Sequence, residues 1–476
     1  MDTNVLVKNQ EILLTIKRIG INGEGIGYYK RLAIFVKGAL PKEEVIVKVT
    51  EVNTQYARAE MIRIKGDPSV SRVVPPCKYS DKCGGCQLQH VEYTMQCKIK
   101  QSIVKESFDK YYSGKLNERL FKETIGQDNP YHYRNKVKLP VRYDGEKLVT
   151  GLYAMDTNRL VYIDNCLVEK EDLRVAVDEI CEYLTKYQII AYNPKTHDGV
   201  LRHIIARSSK LTNDIQVTLI LYKKDQRTIK VAKELVKIKN IKSVYISIND
   251  DLEAIENFGK NTFLVAGNET ITEQLGDFKF ELLPNAFFQL NLEQTNKLYN
   301  EIIKLAKLNG YENVIDAYCG VGTIGTFLSK YAKEVRGIDN NKEAIQNANK
   351  NVKLNGITNT KFYNGNILSY MHKWEIEGFI PDVLVVDPPR TGLELKFLNY
   401  LQTNPVKKII YVSCNPSTLA KNCNHLQKKY HIYAIQPLDM FPNTSNVETI
   451  VLLFHKDSNK HINVKVDFDT QESKKF

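Results

Sequence analysis

The chain has 476 residues, 43% hydrophobic and 26% charged, long enough for two to four domains with sizeable cores. It holds no run of the roughly 18 to 20 apolar residues that a bilayer span needs, and residues 1–20 lack a signal-peptide pattern, so a cytoplasmic location and no membrane partner are expected. With 67 Lys and Arg against 55 Asp and Glu, the formal net charge of +12 favours a polyanionic partner.

Residues 1–66 read as a small β domain. Four β-branched runs, Ile12 to Ile16, Ala33 to Val36, Val45 to Val49 and Ala59 to Ile64, are separated by the glycine-rich stretch Gly20 to Gly27 and by Gly38 to Pro41, the spacing of a five-stranded barrel. Lys17, Arg18, Lys30, Arg31, Lys37, Arg58, Arg63 and Lys65 are interleaved with Tyr28, Tyr29, Phe35 and Tyr56. Such a mixture suits RNA backbone contact with base stacking.

Three of the nine cysteines fall in one window, Cys77-x5-Cys83-Gly-Gly-Cys86, after the linker-like Asp67-Pro68 and Pro75-Pro76. In a long cytosolic chain this is ligand spacing rather than a disulfide framework. Gly84 and Gly85 let the backbone turn so that Cys83 and Cys86 can face one centre. A fourth ligand is needed; Cys166, in Ile163-Asp-Asn-Cys-Leu-Val168, is the first candidate and Cys97 the second. Spacing alone leaves zinc and an iron–sulfur cluster both open.

Residues 67–285 mix predicted strands at 215–221, 244–248 and 262–265 with helices near 170–186 and 225–238, a central α+β domain. Two basic tracts stand out, His132 to Lys138 and Leu201 to Arg207. Alternation would place Arg134, Lys136 and Lys138 on one strand face, within reach of phosphates.

Residues 286–456 carry the chemistry. Predicted strands at Val314 to Ala317, Val335 to Asp339, Lys361 to Tyr363, Val383 to Asp387, Lys408 to Ser413, Ile432 to Gln436 and Ile450 to Phe454 alternate with helices such as Lys342 to Leu354 and Ser417 to Lys429. That order implies an α/β doubly wound sheet with ligands outside the carboxyl strand ends. Gly320, Gly322 and Gly325 allow a ligand close to the backbone, and Asp339 can accept hydrogen bonds from ribose hydroxyls. Cys414 follows the apolar run Ile409 to Val412, where such a sheet presents a nucleophile, and Glu448 comes 34 residues later. A polar tail, 457–476, is expected to be disordered. Cys181, Cys319 and Cys423 read as small buried hydrophobes.

The segments Phe287-Phe-Gln-Leu-Asn291, Asp316-Ala-Tyr-Cys-Gly-Val-Gly322, Asp387-Pro-Pro-Arg-Thr-Gly392, Ser413-Cys-Asn-Pro416 and Asp439 to Glu448 closely resemble the RNA uridine-5 methyltransferase family, over nearly the whole chain. The resemblance implies a class I, Rossmann-like S-adenosylmethionine methyltransferase domain behind a TRAM barrel. It also implies that Gln289, Tyr318, Asp339 and Asp387 bind S-adenosylmethionine, that Cys414 is the nucleophile and that Glu448 is the base. By the same likeness Cys77, Cys83, Cys86 and Cys166 match the [4Fe-4S] ligands of the 23S rRNA branch, with zinc the lesser alternative. The implied partner is 23S rRNA, with tRNA as the alternative and no DNA, met by a monomer. Asn446 stands where a His commonly precedes the hydrophobic-Glu pair, and Asp339 replaces the usual Glu. Phe287 and Phe288 are candidates to stack on an extruded base, although neighbours in an extended chain point opposite ways and one should pack in the core. A thiolate is required at Cys414, and the helix starting at Pro416-Ser417 is expected to lower its pKa. Rival readings are an amino-group methyltransferase, a cytosine-5 methyltransferase and a non-catalytic iron–sulfur RNA-binding or ribosome-assembly factor.

Overall fold

A computed structural model describes residues 6–155, 157, 159–251 and 258–457. The polar tail expected from 457 lies, after its first residue, outside the described residues. Among them no helix is long and apolar enough to cross a membrane.

Strands β1 (Glu11–Ile19), β2 (Gly25–Tyr29), β3 (Leu32–Val36), β4 (Glu44–Val52) and β5 (Tyr56–Lys65) close into a barrel in the order β1-β2-β3-β5-β4. Alternation sends Leu14, Ile16, Ile34, Val45 and Val47 into its core. The four expected runs became β1, β3, β4 and β5; the fifth strand, β2, starts in the glycine-rich stretch that separates the first two runs. Its glycines answer to close packing, since a Cβ on Gly27 would stand 2.5 Å from Leu14 Cγ and one on Gly25 2.5 Å from the Ala39 carbonyl oxygen.

Helix α1 (Tyr93–Tyr111) is followed by β6 (Lys136–Tyr143), β7 (Leu148–Tyr153), β8 (Leu160–Tyr162), α2 (Glu171–Lys186), β9 (Leu201–Ser208), β10 (Ile215–Leu221), α3 (Gln226–Ala232), β11 (Ile241–Ile248) and β12 (Asn261–Gly267). The seven strands form one sheet, β12-β11-β10-β9-β6-β7-β8. Leu173, Val177 and Ile180 of α2 bury one of its faces at Val137, Leu139, Val217 and Leu219.

The remaining elements are the hairpin β13 (Ile271–Leu275) and β14 (Phe278–Leu282), then α4 (Leu292–Ala306), β15 (Asn313–Ala317), α5 (Thr323–Leu328), β16 (Glu334–Asp339), α6 (Lys342–Leu354), β17 (Thr360–Asn364), α7 (Ile367–Ile376), β18 (Val383–Val386), α8 (Leu395–Thr403), β19 (Lys408–Ser413), α9 (Pro416–Leu426), β20 (Tyr430–Leu438) and β21 (Glu448–His455). They build the expected doubly wound sheet, β17-β16-β15-β18-β19-β21-β20, parallel through β19 with β21 antiparallel between β19 and β20. Strand order reverses between β15 and β18, which opens a crevice at their carboxyl ends.

Packing cuts across the expected limits of the central domain. Ile99, Ile103, Val104 and Phe108 of α1 share one core cluster with Leu419, Cys423 and Leu426 of α9. Leu275, Phe278 and Phe280 of the hairpin likewise join Leu298 and Ile302 of α4. Both elements therefore serve the C-terminal sheet.

Candidate active site

The turn after β15 is built for a ligand. Tyr318, Gly320 and Gly322 all adopt left-handed backbone, with φ of 63°, 53° and 77°, and a non-glycine residue held there is a mark of imposed geometry. Asp339, at the end of β16, accepts the Gly320 N–H at 3.0 Å and the Asn341 N–H at 2.8 Å, one on each carboxylate oxygen. Lone pairs remain on both oxygens for hydroxyl donors. Tyr318 and Asp339 line a small cavity with Asn340, Asn366, Glu394 and Phe397. Of these, sequence reading missed Asn340, Asn366, Glu394 and Phe397. Asn366 was detectable as a helix cap, since its side chain accepts the Leu368 N–H at 2.9 Å. Gln289 is not among the residues lining this cavity; its carbonyl accepts Asn135 Nδ2 at 3.2 Å. Beneath the turn, Asp316 is buried and accepts the Gly325 N–H at 2.7 Å, and burial pushes its carboxyl up to about 8.

Cys414 and Glu448 meet through strand register. β19 runs antiparallel to β21 and their ladder ends with Ser413 opposite Thr449, which leaves Cys414 and Glu448 as the adjoining residues, near enough for Glu448 to act on the thiol. Asp387 directly follows β18, the neighbour on the other side. The turn Asp387 to Gly392 is pinned to the start of α9, where the Arg390 carbonyl accepts Asn415 Nδ2 and Thr418 Oγ1, each at 3.1 Å. Gly392, at φ 78°, fits only without a side chain, because a Cβ would lie 2.4 Å from Thr418 Cγ2. This holds the Arg390 guanidinium beside the Cys414 thiol.

The electrostatics correct the expectation of a lowered thiol pKa. Burial, then Glu448, pushes Cys414 up to about 11, and Arg390 is the main opposing influence. The start of α9 offers little help because the Asn415 side chain caps it, accepting the Ser417 and Thr418 N–H groups at 3.2 and 3.4 Å. Burial, then Asp387, raises Glu448 to about 8, and burial alone raises Asp387 to about 7. A cluster of proton-holding carboxyls around a thiol suits acid–base work near neutral pH.

Residues Asp439 to Glu448 are anchored from α1. Lys100 and Asp439 form an ion pair with both side chains fully buried, and Lys100 Nζ also donates to the Phe441 carbonyl at 3.0 Å. The other Asp439 oxygen accepts Tyr93 Oη at 2.9 Å.

Of the two aromatics before Gln289, Phe288 is buried and packs 5.6 Å from Phe280, whereas Phe287 is 67% exposed. The basic tracts are largely structural, contrary to expectation. Lys136 Nζ donates to the Pro284 carbonyl at 3.1 Å and buried Arg207 to the Ala286 carbonyl at 2.5 Å, which fixes the segment leading to Phe287. Arg134 Nε donates to the Lys136 carbonyl at 3.1 Å, and of Arg134, Lys136 and Lys138 only Lys138 is exposed.

Cys77, Cys83, Cys86 and Cys166 are brought into one neighbourhood. The Cys86 thiol is pushed up to about 12 by burial, with Cys83 and Cys77 adding to the rise, and Cys166 reaches about 12 through burial, Glu169 and Cys86. Cys97 lies elsewhere, beside Tyr93, Gly126 and Asp439. Among the described residues no three His, Cys, Asp or Glu side chains have the geometry to hold a metal ion. Four neighbouring thiols are a donor set that suits either zinc or an iron–sulfur cluster. Cys181, Cys319 and Cys423 are buried.

Comparison with known proteins gives the family. Residues 92–456 match the sequence model of the tRNA (Uracil-5-)-methyltransferase family, and residues 7–62 match the TRAM domain. The chain is 44% identical over 452 residues to an uncharacterized RNA methyltransferase of Bacillus cereus, covering 94% of this chain and 97% of that one. It is 43% identical to another, from Halalkalibacterium halodurans, covering 95% of this chain and 98% of that one. Among solved structures it is similar to the Pyrococcus abyssi tRNA (uracil-54, C5)-methyltransferase in complex with S-adenosyl-L-homocysteine, with TM-score 0.72, 28% identity and coverage of 93% and 100%. The chain belongs to the tRNA (uracil-5-)-methyltransferase family and is an S-adenosylmethionine-dependent RNA methyltransferase.

Proposed function

We propose that this enzyme methylates C5 of a uridine in 23S rRNA through a covalent Cys414–C6 adduct that Glu448 resolves. The observation that carries the reading is the cross-strand meeting of Cys414 with Glu448, beside Asp387 and Arg390. Uracil C5 is too weak a nucleophile to attack a sulfonium methyl. The Cys414 thiolate therefore adds to C6, and the electron pair it brings becomes enolate character at C5. Arg390 supplies the positive charge that favours the thiolate. C5 then takes the methyl from S-adenosylmethionine, leaving the neutral homocysteine thioether. Glu448 removes the C5 proton, and the electrons of that C–H bond re-form the C5–C6 double bond as Cys414 departs.

Tyr318 and Asp339 would hold the adenosine end of the donor, Asp387 and Gln289 the reacting end, and Phe287 would stack on RNA. Cys77, Cys83, Cys86 and Cys166 would hold a [4Fe-4S] cluster, which supplies no electrons to this reaction and orders the segment around it. On this reading residues 1–66 meet RNA, 67–285 carry the cysteines and 286–456 perform the chemistry. The barrel and the cysteine set favour 23S rRNA. The Pyrococcus abyssi neighbour, named for tRNA, favours tRNA as the second reading.

The test is incubation with 5-fluorouridine-substituted 23S rRNA and tRNA transcripts. A donor-dependent covalent complex with the rRNA, lost in Cys414→Ala, is the expected result. Complex with tRNA alone moves the substrate to the second reading, and RNA binding with no complex on either refutes the chemistry.

A further inference from the structure

The cysteine turn and the segment ending on Glu448 form one hydrogen-bonded unit, and Gln87 is its seam. Gln87 directly follows Cys86. Its Nε2 donates to the Gly84 carbonyl at 2.8 Å, inside the turn between Cys83 and Cys86, while its Oε1 accepts the Ser445 N–H at 3.4 Å. One residue on, the Leu88 N–H donates to the Asn443 carbonyl at 2.9 Å.

Asn443 is itself locked in place. It is buried with φ of 69°; its N–H donates to Gln96 Oε1 at 2.9 Å, its Oδ1 accepts Gln96 Nε2 at 3.2 Å and its Nδ2 donates to the Pro130 carbonyl at 2.8 Å. The barrel closes the remaining side. A Cβ on Gly23 would lie 2.6 Å from Gln87 Cβ and 3.4 Å from Ser445 Cβ, so barrel, cysteine turn and base-bearing segment touch at one point. Ser445 is three residues from Glu448. The Gln87 and Leu88 bonds thus lie between the cysteine turn and the segment that ends on Glu448, whereas the residues lining the cavity at Tyr318 belong to other turns.

We propose that Gln87 is a positioning residue for Glu448, coupling the placement of the cysteine turn to removal of the C5 proton but not to donor binding or to attack by Cys414. The proposal rests on the reading of Glu448 as the base. Gln87→Met keeps the side chain's length and removes both hydrogen bonds. In the full-length protein, with its metal content measured, this variant should form the methylated covalent RNA complex at the wild-type rate. It should release it about ten- to a hundredfold more slowly, the range expected when a reacting group is misplaced by a fraction of an ångström to an ångström. Amide exchange at Ser445 should accelerate with affinity for S-adenosylhomocysteine unchanged.

Wild-type release by Gln87→Met overturns the proposal. So does loss of donor binding, adduct formation and release together, which is what general destabilisation produces. Glu448→Gln run alongside distinguishes the failures: prompt release of methylated RNA by that variant overturns the reading of Glu448 and this proposal with it, whereas trapping by Glu448→Gln with prompt release by Gln87→Met overturns this proposal alone.

Discussion

Replacing Glu448 by Gln separates the stability of this site from its chemistry. The side chain is buried, 8% exposed, and its carboxyl is pushed from an ordinary 4.5 to about 8, by burial first and Asp387 second. A carboxyl whose folded pKa is raised leaves the fold unpenalised below its unfolded pKa. Stability is lost as pH climbs from that value toward the folded one, and the loss levels off above it. With limits of 4.5 and about 8, the linkage removes roughly 1 kcal/mol at pH 5, about 3 kcal/mol at pH 7 and nearly 5 kcal/mol at pH 9. Gln has the same shape without the titration. The ligand-free variant should therefore match wild type near pH 4 and melt higher at pH 7, by roughly 6 to 12 °C if the C-terminal unit melts like a domain of about 200 residues. The gap should widen to about pH 8 and then hold. Thermal unfolding of both proteins from pH 5 to 9, followed by near-ultraviolet circular dichroism, measures it, and turnover should meanwhile fall about 10²- to 10⁴-fold. Parallel melting curves, or a variant less stable than wild type at pH 7, would refute the assignment of Glu448 as a proton-holding buried carboxyl.

Two further substitutions test the other parts of the site. Asp339→Ala removes the acceptor of the Gly320 and Asn341 N–H groups, so affinity for S-adenosylhomocysteine should weaken by about tenfold or more, as loss of hydrogen bonds worth about 1 to 3 kcal/mol requires. Calorimetry giving a Kd within twofold of wild type would remove Asp339 from the donor site. For the adjacent aromatics, Phe288→Ala should destabilise by about 3 to 5 kcal/mol as a core truncation. Phe287→Ala should leave stability within about 0.5 kcal/mol and weaken RNA binding by about 1 to 3 kcal/mol through lost stacking; unchanged RNA affinity would make Phe287 a bystander.

Much of this architecture was legible because parallel strands and their helices announce themselves locally. The run Val335 to Asp339 falls within β16, and Lys342 to Leu354 matches α6. What stayed hidden depends on contacts between distant residues. β2 was masked by glycines whose purpose, room for Leu14 and Ala39, exists only in the closed barrel. The cations Lys136 and Arg207 are spent on carbonyls of the segment at 284–286, 148 residues away for Lys136 and 79 for Arg207. The role of α1 was equally invisible, because Lys100 meets Asp439 across more than 300 residues. Arg390 could be seen but not placed, since its position depends on Asn415 and Thr418 gripping its carbonyl. The same Asn415 explains why a helix start next to Cys414 does not lower the thiol: local sequence shows the helix, while the capping bond decides where its N–H groups point.

The charge balance around Cys414 makes sense of a thiol held near 11 in the free enzyme. Asp316, Asp387 and Glu448 are all driven toward the protonated state, chiefly by burial, and the Tyr299 phenol, hydrogen-bonded to Thr323 at 2.7 Å, is raised by burial and by all three. A buried cluster of carboxyls with the Arg390 guanidinium at its side suits a cationic neighbour. On the proposed mechanism a sulfonium nearby would favour the ionised forms of Glu448 and Cys414 alike, so the nucleophile would form when the donor is present. Methyl transfer would turn that cation into a neutral thioether. Glu448 would then lose a stabilising neighbour and become more basic at the step in which the C5 proton must leave. On that mechanism the penalty that a buried carboxyl imposes on the fold would also set its timing, and for this reason Glu448→Gln should be the more stable protein and the one that cannot let its RNA go.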